Sequence, residues 1–136
     1  DAKGLTMGLV GFGSIARQVA VRARAFGMRV LASDPFVPVG HPAWAEYGVE
    51  RRELAAMLPE THVLSLHVPL TDTTRGLVDA RALKSLPAGA HLGNTAAAGI
   101  TRDANLRASL LTAENVRRGL EGKPPRVADA ARPASA

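Results

Sequence analysis

The chain has 136 residues, which bounds it to one domain able to bury roughly two-thirds of its unfolded surface and leaves no room for a second, substrate-binding domain. Apolar residues make up 46%, charged residues 21% and aromatic residues 4%, the balance of an alanine-rich α/β domain. No apolar run approaches the roughly 18 residues of a membrane span, and the start lacks a basic segment followed by an apolar stretch, so the expectation is a cytoplasmic protein with no signal peptide and no membrane contact.

The absence of cysteine excludes disulfides, a thiolate nucleophile and cysteine zinc sites. His41, His62, His67 and His91 do not have metalloprotease spacing, so no metal is expected. The net charge of +5 is carried by scattered residues and local pairs such as Arg51-Arg52 and Arg117-Arg118, without interleaved aromatics. It implies a solvated basic surface rather than a nucleic-acid groove.

The most informative segment runs from Met7 to Asp34. The apolar strand MGLVG passes through GFGSIA into a helix and emerges as a second strand, MRVLASD. Gly11 lets the chain turn sharply, Gly13 keeps side-chain atoms away from a pyrophosphate, and Ala16 is small enough for the helix to pack close to the sheet. The helix starting near Ser14 offers its unpaired N–H groups and the positive end of its dipole to phosphates, with the Ser14 hydroxyl as a further donor. Ile15, Val19, Ala23 and Phe26 recur at helical spacing and predict its apolar face, with Arg17, Arg22 and Arg24 elsewhere. Gly27 reads as the stop. Asp34 closes the second strand roughly 20 residues after the glycines, where an acid accepts hydrogen bonds from both hydroxyls of an adenine ribose. The same carboxylate repels a 2′-phosphate, by roughly 1 kcal/mol at about 4 Å in water-like surroundings and roughly 4 at an effective dielectric of 20. No Arg or Lys follows it closely, so NAD is favoured over NADP.

Beyond Asp34, the run DPFVPVGHP predicts a proline-rich loop. Trp44 and Tyr47 are expected to anchor it on the body rather than stack on a base. A short turn and a brief strand around Val49 come next, then a short helix of Leu54, Ala55 and Leu58 ended by Pro59. HVLSLH predicts a strand, TDTTRG a turn, and Asp79 the N-cap of a helix over DARALKSL stopped by Pro87. AHLGNT, from Ala90 to Thr95, reads as the fifth strand. His67, at a strand end with no acid partner at obvious spacing, reads as a packed residue rather than a proton donor.

Strands alternating with helices imply a Rossmann-type, doubly wound parallel α/β sheet of about five strands. Ligands of such sheets lie beyond the carboxyl ends of the strands, where strand order reverses. Gly11, Asp34, Val68-Pro69 and Asn94-Thr95 all fall at those ends.

With these segments in place, GLVGFGSIA, FGMRVLASDP, LSLHVPLTDTTRGLVD and GNTA give the chain a specific resemblance to the NAD-binding domain of the D-isomer-specific 2-hydroxyacid dehydrogenases, over Gly4 to about Ala96. The resemblance implies that Ser14 and Ile15 cover the pyrophosphate, that Asp34 holds the adenine ribose, and that Val68, Pro69 and Thr95 line the cofactor. It also implies pairing of two copies through this domain.

The pattern then breaks. Family members carry an arginine and a glycine directly after NTA, the arginine gripping the substrate carboxylate; Ala97 and Ala98 stand here. No histidine occurs after His91, so the family's catalytic histidine is not found, and neither is its glutamate partner, since Glu114 and Glu121 lie in or beside a predicted helix. The segment AGITRDANLRASLLTAENVRRGLEGKPP resembles the stretch immediately after that histidine in family members. Residues 96–98 therefore read as a seam that shortens the domain. The expected organisation is a domain over 1–122, with a C-terminal helix over 101–120, and a disordered tail over 123–136. No catalytic residue is assigned. The expected function is an NAD-binding domain of this oxidoreductase type that does not catalyse alone; the alternatives are a non-catalytic nucleotide-sensing module or a dimerising remnant.

Overall fold

The structure, a computed structural model, describes residues 1–69 and 71–94. Thr95, the expected seam, the helix expected over 101–120 and the expected tail lie outside the described residues.

Five parallel strands form one sheet in the order β3-β2-β1-β4-β5: β1 (Thr6–Val10), β2 (Arg29–Ser33), β3 (Glu50–Arg51), β4 (Val63–Leu66) and β5 (His91–Asn94). The chain steps outward from β1 through β2 to β3, then crosses to the other side of β1 for β4 and β5. Strand order therefore reverses between β1 and β4, the topological switch point of a doubly wound fold. All residues of β1 are buried because β1 is the middle strand. Its alternate side chains feed two cores. Met7 and Leu9 join Val30, Ala32 and Val63 on one face, and Val10 joins Leu31 and Leu64 on the other. The expected Rossmann-type α/β architecture is the one found.

Helix α1 (Ser14–Ala25) covers the first face. The expected stripe is displaced: Ala16, Val19, Ala20 and Ala23 are buried, whereas Ile15 is half-buried and Phe26, past the last helical turn, is 50% exposed. Small residues win this face because they let the helix axis approach the sheet, so side-chain bulk was a misleading guide at Phe26. Gly27 stops the helix as expected, at φ +78°. A short helix α2 (Ala43–Glu46) places Trp44 in the same core.

The second face is covered by α3 (Leu54–Met57), a 3-10 turn over Leu58–Glu60 that holds Pro59, and α4 (Ala80–Lys84). Asp79 caps α4 as expected, its Oδ1 accepting the Ala82 N–H at 2.8 Å. At the amino end of the sheet, Arg29 pairs with Glu50 at 2.8 Å and also with Glu60, and Arg52 pairs with Glu50 at 2.9 Å. The Arg29 hydrogen bond holds the Glu50 carboxyl below the usual carboxylate range. These pairs are surface features and add little stability.

Thr61 sets how closely the 3-10 turn approaches β1. Its buried Oγ1 donates to the Met57 carbonyl at 2.9 Å, and a Cβ placed on Gly8 would stand 2.6 Å from that oxygen. Overpacking of this kind costs about 1–3 kcal/mol. Gly8→Ala should lower stability by about that amount in chemical denaturation, and by clearly less in a Thr61→Ala background. Equal costs in the two backgrounds would mean that the contact does not limit the approach.

Candidate nucleotide-binding site

The turn after β1 is held between its two neighbouring strands. Gly11 has φ +92°, and its N–H donates to the Ser33 carbonyl at 2.8 Å. A Cβ there would lie 2.9 Å from Val68 Cγ1 and 3.0 Å from the His67 carbonyl oxygen, so both backbone and packing require glycine. Gly13 differs. Its φ of −77° suits any residue, and a Cβ would meet nothing within 4 Å. What glycine leaves at position 13 is open space before the start of α1.

The start of α1 follows directly. Arg17 N–H bonds back to the Gly13 carbonyl at 3.0 Å. The N–H groups of Ser14, Ile15 and Ala16 therefore precede the helical ladder, at the positive end of the helix dipole. Ser14 is exposed and Ile15 half-buried, and no side chain caps the helix.

Asp34 stands directly after β2, and its carboxylate is already partly engaged. Oδ2 accepts the Phe12 N–H at 2.8 Å and Oδ1 accepts the Phe36 N–H at 2.9 Å. An ionised carboxylate has about four lone-pair sites, so about two remain for further donors. The sequence suggested only a ligand role for Asp34; the fold also uses it to tie the glycine turn to the loop after β2.

Phe12 supplies the second tie, a role that sequence reading did not assign. Its ring, 0% exposed, stacks on Trp44 at 4.4 Å between centroids and meets Tyr47 edge-on at 6.2 Å. Arg17 Nε donates to the Phe12 carbonyl at 3.1 Å while its guanidinium lies 5.2 Å from the Phe12 ring centre. Trp44 Nε1 donates to the Pro38 carbonyl at 2.8 Å. Trp44 thus anchors the proline-rich loop, as expected, while Tyr47 packs on Phe12 and Arg17. An aromatic directly after the tightly held Gly11 is the one sequence signal for Phe12.

Across the switch point, His67 N–H donates to the Val10 carbonyl at 2.8 Å, and His67 Nε2 lies 2.9 Å from the Ser65 hydroxyl. Burial pushes the imidazole pKa down to about 4, so it is neutral at pH 7 and acts as a packed residue. Val68 packs on the second core, and Pro69 is exposed with its carbonyl accepting the Thr74 hydroxyl. The expected residues Gly11, Gly13, Ser14, Ile15, Asp34, Val68 and Pro69 sit at the carboxyl ends of β1, β2 and β4 or at the start of α1; Thr95 lies outside the described residues. Among the described residues, no cluster of His, Asp or Glu could hold a metal ion, and no helix is long and apolar enough to cross a membrane.

A glycine turn at the switch point, an uncapped helix start and an acid after β2 define a dinucleotide-binding α/β domain. Residues 1–118 match the family described as D-isomer specific 2-hydroxyacid dehydrogenase, NAD binding domain, and the chain belongs to that family. It is 44% identical over 140 residues to the (S)-sulfolactate dehydrogenase of Chromohalobacter salexigens, covering 90% of this chain and 45% of that protein. It is 35% identical over 118 residues to the hydroxypyruvate reductase of Thermotoga maritima, covering 87% and 37% respectively. Among solved structures, the Salmonella D-lactate dehydrogenase superposes with TM-score 0.64 at 33% identity, over 79% of this chain and 32% of that one. The chain spans less than half the length of these relatives. It is an NAD-binding domain of oxidoreductase type.

The glycine turn and the half-buried imidazole can each be probed by substitution. Gly11→Ala should cost at least about 1–2 kcal/mol, the penalty for a side chain in the left-handed region, with its contacts to Val68 and His67 adding to it. A thermal midpoint unchanged by this substitution would contradict the packing described. For His67, the folded state keeps the imidazole neutral while the unfolded chain binds a proton at its ordinary pKa of about 6.5. Its contribution is therefore fully present above pH about 6.5 and lost as pH falls toward 4, on the order of 2–3 kcal/mol. His67→Gln should flatten the slope of stability against pH in that window, as read by urea midpoints; an unchanged slope would assign the acid sensitivity to other groups.

Proposed function

We propose that the residues gathered at the switch point form an adenine-side cradle for NAD and that this chain does not complete hydride transfer by itself. The observations that carry this reading are that a Cβ on Gly13 would meet nothing within 4 Å, that no side chain caps the start of α1, and that the Asp34 carboxylate, bound to Phe12 in the same turn, has acceptor sites to spare. The pyrophosphate would lie over Gly13, Ser14 and Ile15, with Gly11 letting the turn pass close beneath it. Asp34 would accept the ribose hydroxyls, and Val68, Pro69 and Thr95 would line the cofactor. Bound NAD supplies the hydride acceptor or donor. The chain's own part is to bind and orient the adenosine half, because helix-end N–H groups and one carboxylate hold phosphate and ribose without moving a proton.

The absence of catalysis rests on the sequence after β5. Ala97 and Ala98 replace the arginine and glycine implied by the family resemblance, and no histidine occurs after His91. The match to the sulfolactate dehydrogenase extends over 140 residues although only 90% of a 136-residue chain takes part, so that relative carries positions without a counterpart here. This supports an internally shortened domain. The parent activity would be oxidation or reduction of a small 2-hydroxy or 2-keto acid with NAD. A cytoplasmic, cysteine-free homodimer without nucleic-acid binding accords with this reading. Several basic residues are engaged within the fold: Arg29, Arg51 and Arg52 pair with glutamates, and Arg17 lies over the Phe12 and Tyr47 rings.

Calorimetric titration tests the proposal. NAD and ADP-ribose should bind with similar affinity, and NADP at least about 5-fold more weakly through repulsion from Asp34. Gly13→Ala should leave the thermal midpoint in place and weaken NAD by roughly 10-fold or more, since a methyl enters the phosphate space. Folded protein that gives no heat with any of the nucleotides would overturn the cradle, and steady NADH oxidation with a 2-keto acid would overturn the claim that the chain is inactive alone.

A further inference from the structure

The second core thins out toward β5. Leu92 stands opposite Leu64 in the register of β4 with β5, so the two side chains share one face of the sheet. Leu64 is 0% exposed and belongs to that core, whereas Leu92 is 49% exposed. Leu83, on α4, and Leu77, shortly before it, are exposed as well. The two ends of the described sheet also differ. At one end β3 is two residues long and set among ion pairs of Arg29, Glu50 and Arg52. At the other, β5 has four residues, HLGN, without a lysine, arginine, carboxylate or proline. Shortness and charge blunt the first edge against association; the second has neither device, and the remaining way to protect such an edge is to cover it with a helix or loop.

We propose that the cover is the chain's own C-terminal segment: the apolar stripe of the helix expected over 101–120 docks on the second face at β5, over Leu92 and Leu83. This rests on that expected helix and is independent of the nucleotide reading. The chain continues from Asn94 to Ala136, so the segment leaves directly from the carboxyl end of the strand it would cover. Residues 95–100 join the two, and strand-to-helix connections of about 2–6 residues are the usual ones. Leu106, Leu110 and Ala113 recur on one side of the helix. Laid back along β5 at about 1.5 Å per residue, Leu106 and Leu110 fall within roughly the first 14 Å of the helix, against a strand about 13 Å long, while Leu120 passes beyond it. Helix stability in a protein comes mostly from packing of such a face rather than from propensity, so order in this segment reports the docking.

The test is amide hydrogen exchange of the full chain, read by mass spectrometry of its peptides, in wild type and in Leu92→Ser, Leu110→Ser and Leu120→Ser variants, with sedimentation velocity alongside. Peptides within 101–120 should exchange at least about 10-fold more slowly than an unfolded chain in wild type. That protection should be lost in Leu92→Ser and in Leu110→Ser while β1 and β4 stay protected, and it should be kept in Leu120→Ser. Leu92 is half exposed, so its replacement leaves the core in place, and Leu110→Ser alters no residue of the described sheet. Absence of protection over 101–120 in wild type would overturn the proposal. So would protection that survives either Leu92→Ser or Leu110→Ser, or an equal loss in Leu120→Ser. If protection of the segment vanishes on dilution to monomer, the face pairs with a second copy and the proposal is likewise overturned.

Discussion

The carboxylate of Asp34 is the interaction on which the site depends. Its two oxygens accept N–H groups from Phe12, in the turn after β1, and from Phe36, in the loop after β2. Hydrogen bonds to a charged acceptor contribute about 1.5–3 kcal/mol, more than neutral ones. Neither partner belongs to the sheet, so without Asp34 the two loops would be joined chiefly through the aromatic cluster below them. The same group holds the frame and, in the reading proposed above, would face the ligand. Replacing it would disturb the glycine turn as well as the ribose contact, so a loss of binding in an Asp34 variant does not by itself measure that contact.

Below this bond, the glycine turn is set by competing demands. The sheet brings β2 and β4 to either side of β1, so the turn after β1 passes between the Ser33 carbonyl and the Val68 side chain. Only a residue without Cβ fits at Gly11. Once the chain has cleared that gap it is unconstrained, and Gly13 stands in open space. Two glycines of one motif therefore answer to different physics: the first is required by folding, whereas nothing in the fold requires the second, which the proposed phosphate contact would explain.

Most of the fold was legible because its signals are local. The order of strands and helices, the stop at Gly27, the cap at Asp79 and the anchoring role of Trp44 each depend on residues within a few positions of one another. The buried face of α1 departs from the helical spacing of its bulkier residues because it depends on distance to the sheet, which favours alanines over Ile15 and Phe26. The second role of Asp34 is not legible, since it arises from a contact 22 residues apart that closes only when β1 and β2 lie side by side, and the ring contacts of Phe12 reach further still, to Trp44 and Tyr47. Nothing in the spacing of GFG and DPF states that their backbones share one carboxylate.

Whether one carboxylate serves the frame and the ligand together can be seen in a crystal structure of the chain with ADP-ribose. Asp34 should keep its bonds to the Phe12 and Phe36 N–H groups while accepting the adenine ribose hydroxyls on its remaining lone pairs, with the pyrophosphate over Gly13. A complex in which Asp34 releases Phe12 to reach the ribose, or in which the ribose lies away from Asp34, would contradict this dual role.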